Sequence, residues 1–137
     1  MLQEERKSRR RRMVAAVLQQ QVSAIILTEV KDPACAGAVV TAVKVSNDLS
    51  SAVILVRGRE GLLDVTARIV HALNHAAPYI RRELRGRVEL RRIPALKFVE
   101  DRGLVESVRI SELLESLNLE TSDTETSSAE EESPHAL

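Results

Sequence analysis

LLDVTARIVHALNHAAPYIRREL, residues 62–84, carries two conflicting signals. One stripe runs through Leu62, Val65, Thr66, Ile69, Val70 and Leu73 and continues in phase at Ala77, Ile80 and Leu84. Such spacing marks one face of a helix. Pro78 lies inside it. An interior proline loses its own hydrogen bond and crowds the carbonyl of residue 74, at a cost of about 3 kcal/mol. As the first residue of a new helix it costs little. The stretch therefore predicts two helices with a corner at Ala76, Ala77 and Pro78, the second ending before Gly86 at a C′ position.

Upstream, Val39–Ser46 and Ser51–Arg57 are rich in β-branched residues and flank Asn47-Asp48-Leu49-Ser50, which is turn chemistry. They predict an antiparallel hairpin. Before it, Val14, Val17, Leu18, Val22, Ile25 and Ile26 form a helical stripe over about Arg9–Glu29, ended by Lys31-Asp32-Pro33 and Gly37. Downstream, Val88, Leu90 and Arg92 alternate with Glu89, Arg91 and Ile93, and Leu96 and Phe98 follow Pro94. This predicts a third strand interrupted at the proline, at an edge or a bulge. Residues 104–117 predict an amphipathic helix on Val108, Leu113, Leu114 and Leu117. From Glu120 on, Ser, Thr and acids dominate, a composition that predicts disorder.

The expected organisation is a flexible N-terminus (1–8), one domain (9–100), an amphipathic segment (101–118) and a disordered acidic tail (119–137). The order helix, strand, strand, helix, corner, helix, strand is an α+β domain with helices on one face of a three-stranded sheet.

Charge is divided along the chain. All 20 Lys and Arg lie in residues 1–110 with 12 acids, whereas 111–137 hold 8 acids and no Lys or Arg. A body of +8 beside a tail of −8 points to a polyanionic partner, most simply nucleic acid, against the plain alternative of a solvated surface with a solubilising tail. Base stacking would have only Tyr79 and Phe98 to use. No apolar run approaches a membrane span and no apolar stretch follows the basic N-terminus, so neither a membrane segment nor a signal peptide is expected. Cys35 is the only cysteine, which excludes a disulfide framework and fits a reducing cytoplasm.

Arg9-Arg10-Arg11-Arg12 opens the first predicted helix, where cations oppose the helix dipole. Phosphate contact, a nuclear-localisation tract and a solvated helix end all remain readings of it. Arg81, Arg82, Arg85, Arg87, Arg91 and Arg92 put six arginines within twelve residues, and guanidinium forks match phosphate oxygens. Gly58-Arg59-Glu60-Gly61 spells Gly-x-x-Gly but sits between a strand and a helix, where a turn explains both glycines. His71 and His75 are spaced i, i+4, yet with His135 they form no metal set, and Cys35 has no triad partner. No catalytic activity and no cofactor are expected.

Lys31-Asp32-Pro33, the valine-rich hairpin, Ala76-Ala77-Pro78-Tyr79-Ile80-Arg81, RRIPALKFVED and Arg109-Ile110-Ser111-Glu112-Leu113-Leu114 together resemble the ribosome-binding factor A family over about residues 9–118. The resemblance implies a KH-like type II fold. It implies a non-enzymatic, cytoplasmic assembly factor, monomeric and without contact to a membrane. Such a factor binds the free or immature small (30S) ribosomal subunit and its 16S rRNA, assists late maturation and rRNA processing, is linked to growth in the cold, and is released with the help of a GTPase. Family members carry Ala-x-Gly at the helix corner, and here Ala76, Ala77 and Pro78 stand there, with proline for glycine. The candidate RNA-contacting set is Arg9, Arg10, Arg11, Arg12, Lys31, Ala76, Ala77, Pro78, Arg81, Arg82, Arg85, Arg87, Arg91 and Arg92. A protein-interaction adaptor with a basic patch, an RNA-modifying enzyme and another KH-type nucleic-acid binder are the rival readings.

Overall fold

The computed structural model describes residues 2–59, 63–102 and 110–117. Helix α1 (Leu2–Thr28) buries Val14, Leu18, Val22, Ile25 and Ile26; Val17, expected on that stripe, is 40% exposed instead. The helix begins at Leu2, so residues 2–8 are helical rather than frayed. Glu4 and Glu5 occupy its first turn and complement the dipole. Arg9–Arg12 therefore lie well inside the helix, and the expected conflict with the dipole does not arise. A short 3-10 turn (Pro33–Cys35) follows, capped by Asp32, whose carboxylate accepts the Ala34 N–H at 3.0 Å.

Strands β1 (Ala38–Val45) and β2 (Ser51–Gly58) form the expected antiparallel hairpin, with a register shift between Val40 and Ala42. Its turn is a serine–aspartate knot. The Asp48 carboxylate accepts from the hydroxyls of Ser46 (2.9 Å) and Ser50 (2.7 Å) and from the Ser50 N–H (3.1 Å). The knot holds Leu49 at φ 63°, a left-handed conformation uncommon for leucine.

Helix α2 (Leu63–Arg85) runs unbroken through Pro78. The two helices and corner expected from the sequence are thus one helix. Ile69, Leu73, Ile80 and Leu84, on both sides of the proline, are all 3% exposed or less. Each such side chain contributes about 1.5–3 kcal/mol on burial, and keeping one phase buries both halves, which together outweigh the ~3 kcal/mol of an interior proline. Gly58, at the end of β2, is explained by this helix. A Cβ there would stand 3.3 Å from Thr66 Oγ1 and 3.5 Å from Ile69 Cδ1, and its N–H donates to Thr66 Oγ1 at 2.9 Å. Glu60 and Gly61 of the Gly-x-x-Gly string lie outside the described residues.

Strand β3 is Ala95–Glu100 and pairs parallel with β2, giving the order β1-β2-β3. Residues 88–94, expected to begin this strand, do not join the ladder. Pro94 has no N–H to give, and the carbonyls of Ile93 and Pro94 are taken by Arg81 of α2 at 2.7 and 2.9 Å. The alternation reflects packing only: Ile93 is buried, and Val88 and Leu90 rest against the core. Pro94 does mark an edge strand. On that edge the Asn74 amide pairs both ways with Phe98, accepting its N–H at 2.8 Å and donating to its C=O at 2.9 Å, so this stretch of backbone is satisfied without a further strand.

α1 and α2 cover one face of the sheet, around Phe98, Ile54 and Val56. The other face is also covered. Helix α3 (residues 110–117) lays Ile110 against Val53, Leu55 and Val99, with Leu113 and Leu114 alongside. The strongly apolar β2 is therefore buried on both sides. The predicted helix over 104–117 is seen from residue 110; residues 103–109 and the tail from 118 lie outside the described residues.

Candidate nucleic-acid interface

Three segments converge at one end of the sheet. The early turns of α1 meet the β1–β2 turn through a hydrogen bond from the Arg11 guanidinium to Asn47 Oδ1. The loop 88–94 passes beside both. A hollow of ≈ 260 Å³ is lined by Arg10, Val14, Asp48, Leu49, Leu90, Arg91, Arg92 and Pro94. A second of ≈ 290 Å³ shares Leu90, Arg91 and Arg92 and adds Arg81, Arg85 and Ile93. Arginines distant in sequence, Arg10 and Arg91 among them, thus share one surface.

Among the described residues, Asp48 is the one carboxylate lining these two hollows. Its pKa is lowered, chiefly by the Ser50 hydroxyl, with burial opposing and Ser46 assisting. The carboxylate is held in the turn by neutral donors and keeps its charge, one anion among the arginines that line the two hollows. Arg81 has a different role from its neighbours. It is half-buried and directs Nε and one Nη at the carbonyls of residues 94 and 93, so it shapes the loop that presents Arg91 and Arg92. Asn74 and Arg81, two turns apart on α2, tie that helix to β3 and to the loop before it.

The remaining candidates are distributed elsewhere. Arg9 and Arg12 are exposed on α1, and Arg12 donates to Ser8 Oγ at 2.8 Å. Arg87 pairs with Glu29 at 3.4 Å and Glu83 at 3.9 Å. Arg82 lies 5.8 Å from the centre of the Tyr79 ring, and the Tyr79 hydroxyl faces the Glu29 carbonyl at 3.4 Å. That hydroxyl has a raised pKa, through desolvation first and then the Glu83 and Glu29 carboxylates, which outweigh Arg82 and Arg87. Lys31 is exposed beside a separate hollow with Arg59 at the end of α1. Ala76 and Ala77 are half-buried against the core, and Pro78 is exposed within the helix. Asn74 was not legible as a functional support from sequence; its signal is its place one turn before Pro78 and two before Arg81 in the same row.

Cys35 is buried, and its thiol is pushed up by burial and then by Asp32, opposite to the activation of a nucleophile. Among the described residues no three His, Cys, Asp or Glu gather as a metal set, and no helix is long and apolar enough to cross a membrane.

The order of elements defines a small KH-like type II domain, with arginines gathered at one end of its sheet. Residues 9–114 match the family described as ribosome-binding factor A, and the chain belongs to that family. It is 41% identical over 107 residues to ribosome-binding factor A of Carboxydothermus hydrogenoformans, covering 78% of this chain and 85% of that one. It is 40% identical over 93 residues to that of Shewanella oneidensis, covering 68% of this chain and 63% of the relative's length. The crystal structure of the Thermus thermophilus protein superposes with a TM-score of 0.62 at 25% identity, over 69% of this chain and 99% of that one. A Thermus thermophilus homology model, fitted into the electron cryo-microscopy map of a 30S complex with ribosome-binding factor A, gives 0.52 at 26% identity, over 66% and 94%.

Proposed function

We propose that the chain binds the small ribosomal subunit through phosphates of its rRNA, gripped by Arg10, Arg85, Arg91 and Arg92, with Arg9 and Arg12 extending the surface along α1. The observation that carries this is the convergence of α1, the end of α2 and the loop 88–94 on one arginine-lined surface, in a member of this family. The protein acts in the cytoplasm as a monomer and without catalysis. It assists late maturation and processing of the 16S rRNA, supports growth in the cold, and leaves the subunit with the help of a GTPase.

Guanidinium–phosphate contact releases counterions, so affinity should fall steeply with salt. Four such contacts give a slope of about −3 in log K against log salt. Co-sedimentation with purified small subunits across a salt series tests it. A salt-dependent shift into the subunit peak is expected. Failure to co-migrate at low salt overturns the reading, and a nuclease-resistant complex with a ribosomal protein instead would favour an adaptor.

A further inference from the structure

We infer that the hollow between the 3-10 turn and the first half of α2 receives an unpaired guanine of an RNA strand. This rests on the RNA-binding reading above but concerns a separate place. The hollow, of ≈ 450 Å³, is lined by Asp32, Ala34, Ala67, Arg68, His71, Ala72 and His75. None of these residues lines the two arginine hollows. Arg68 and Arg85 stand about 25 Å apart along α2.

Two helical rows build the wall. Ala67, His71 and His75 recur every fourth residue, and Arg68 and Ala72 form the row beside them. Ile69 and Leu73 turn instead to the core. Ala34 of the turn and Ala67 and Ala72 of the helix are short side chains, so space remains between the two elements. Arg68, His71 and His75 are exposed on α2. Imidazole rings are flat and stack on unpaired bases. Asp32 adds an acceptor. Its Oδ1 takes the Ala34 N–H at 3.0 Å, which uses one of about four lone-pair sites of a carboxylate.

This mixture selects its occupant. Asp32 repels a free phosphate or an acidic peptide, and Arg68 repels a cationic one. Among the described residues no three His, Cys, Asp or Glu gather for a metal ion. A nucleobase is apolar on its faces and polar at its edge, and fits both kinds of wall. Guanine presents adjacent N1–H and N2–H donors to one carboxylate, whereas adenine and cytosine present one amino group and uracil one N–H. Guanine therefore pairs best with Asp32, between the imidazoles, while Arg68 meets the flanking phosphate.

The test uses nine-nucleotide uridine oligomers carrying a central G, A or U, titrated at about 50 mM salt. The G oligomer should bind about tenfold tighter than the U oligomer, with A between them. Asp32→Asn keeps the cap, since asparagine caps as well as aspartate, but turns an amide N–H towards the donors of guanine. It should abolish the preference for G. The double variant H71A/H75A should weaken all three oligomers about tenfold, with the melting temperature little changed because both side chains are exposed. GMP alone should bind at least a hundredfold more weakly than the G oligomer, and equal binding would overturn an RNA strand as the source. Equal affinities for G and U, or a histidine variant that binds like wild type, overturn the inference while RNA binding stands. If no oligomer binds, the inference falls, and co-sedimentation with small subunits decides the RNA-binding reading on its own.

Discussion

Two arginine groups lie within a few residues of each other and stand in opposite settings. Arg82 and Arg87 belong to a cluster with Tyr79, Glu83 and Glu29, where ring and carboxylates answer the cations. Arg85, Arg91 and Arg92 line hollows at the end of the sheet, where Asp48 is the one carboxylate among the described lining residues. Arg81 stands between them, its guanidinium directed to backbone carbonyls. The lesson is that a run of arginines in a sequence overstates an interface. What decides is which cations the fold gathers on one surface.

The sharpest way to break this contrast is charge reversal on each side. R91E/R92E should lower subunit affinity by 100-fold or more near physiological salt, because two phosphate contacts become repulsions, with the melting temperature little changed. Next comes Arg81→Ala, which removes a charged donor from two carbonyls. A loss of about 2–3 kcal/mol in denaturant unfolding is expected, and Arg81→Lys should not restore it, since an ammonium lacks the planar fork. Asn74→Ala leaves the Phe98 N–H and C=O unpaired and should cost about 1–3 kcal/mol, read as a shifted midpoint at constant slope.

Asp48→Asn should weaken the turn modestly at neutral pH. The folded-state pKa of Asp48 is lowered, so its contribution is present above the unfolded value and fades as pH falls through the folded one. The stability gap between wild type and variant should narrow below about pH 4. The smallest effect belongs to Arg87→Ala. Its partly exposed pairs with Glu29 and Glu83 contribute within about 0–1 kcal/mol, and subunit binding should hold within twofold. A large binding loss from Arg87→Ala would dissolve the distinction between the two groups.

Much of this was legible beforehand because the signals were local. β-branched runs around Asn47–Ser50 mark the hairpin, and the stripe through Leu18, Val22, Ile25 and Ile26 marks α1. Pro78 misled because a local penalty was weighed without the core. Ile80 and Leu84 hold their half of α2 in phase with Ile69 and Leu73, which no window around the proline reveals. Val88 to Ile93 misled for the opposite reason. Alternation records which side chains face inward, but a ladder also needs backbone partners, and Arg81 holds the carbonyls of Ile93 and Pro94. The arginines of the candidate surface were visible singly. That Arg10 lines one hollow with Arg91 and Arg92, while Arg87 pairs with Glu29, depends on the packing of segments far apart in the chain.

The parallel pairing of β3 with β2 has a kinetic consequence. Ser51 and Ala95 can meet only after the intervening chain has closed, whereas the β1–β2 hairpin closes over five residues between its strands. Non-local pairing forms late because its loop entropy precedes its reward. β3 is therefore expected to dock last, with Asn74 and Arg81 fastening it after the barrier. Substituting either residue should then act mainly on the unfolding limb of a chevron plot, leaving the folding rate nearly unchanged. These two side chains would set how long the folded molecule lasts, and the hairpin how fast it arrives.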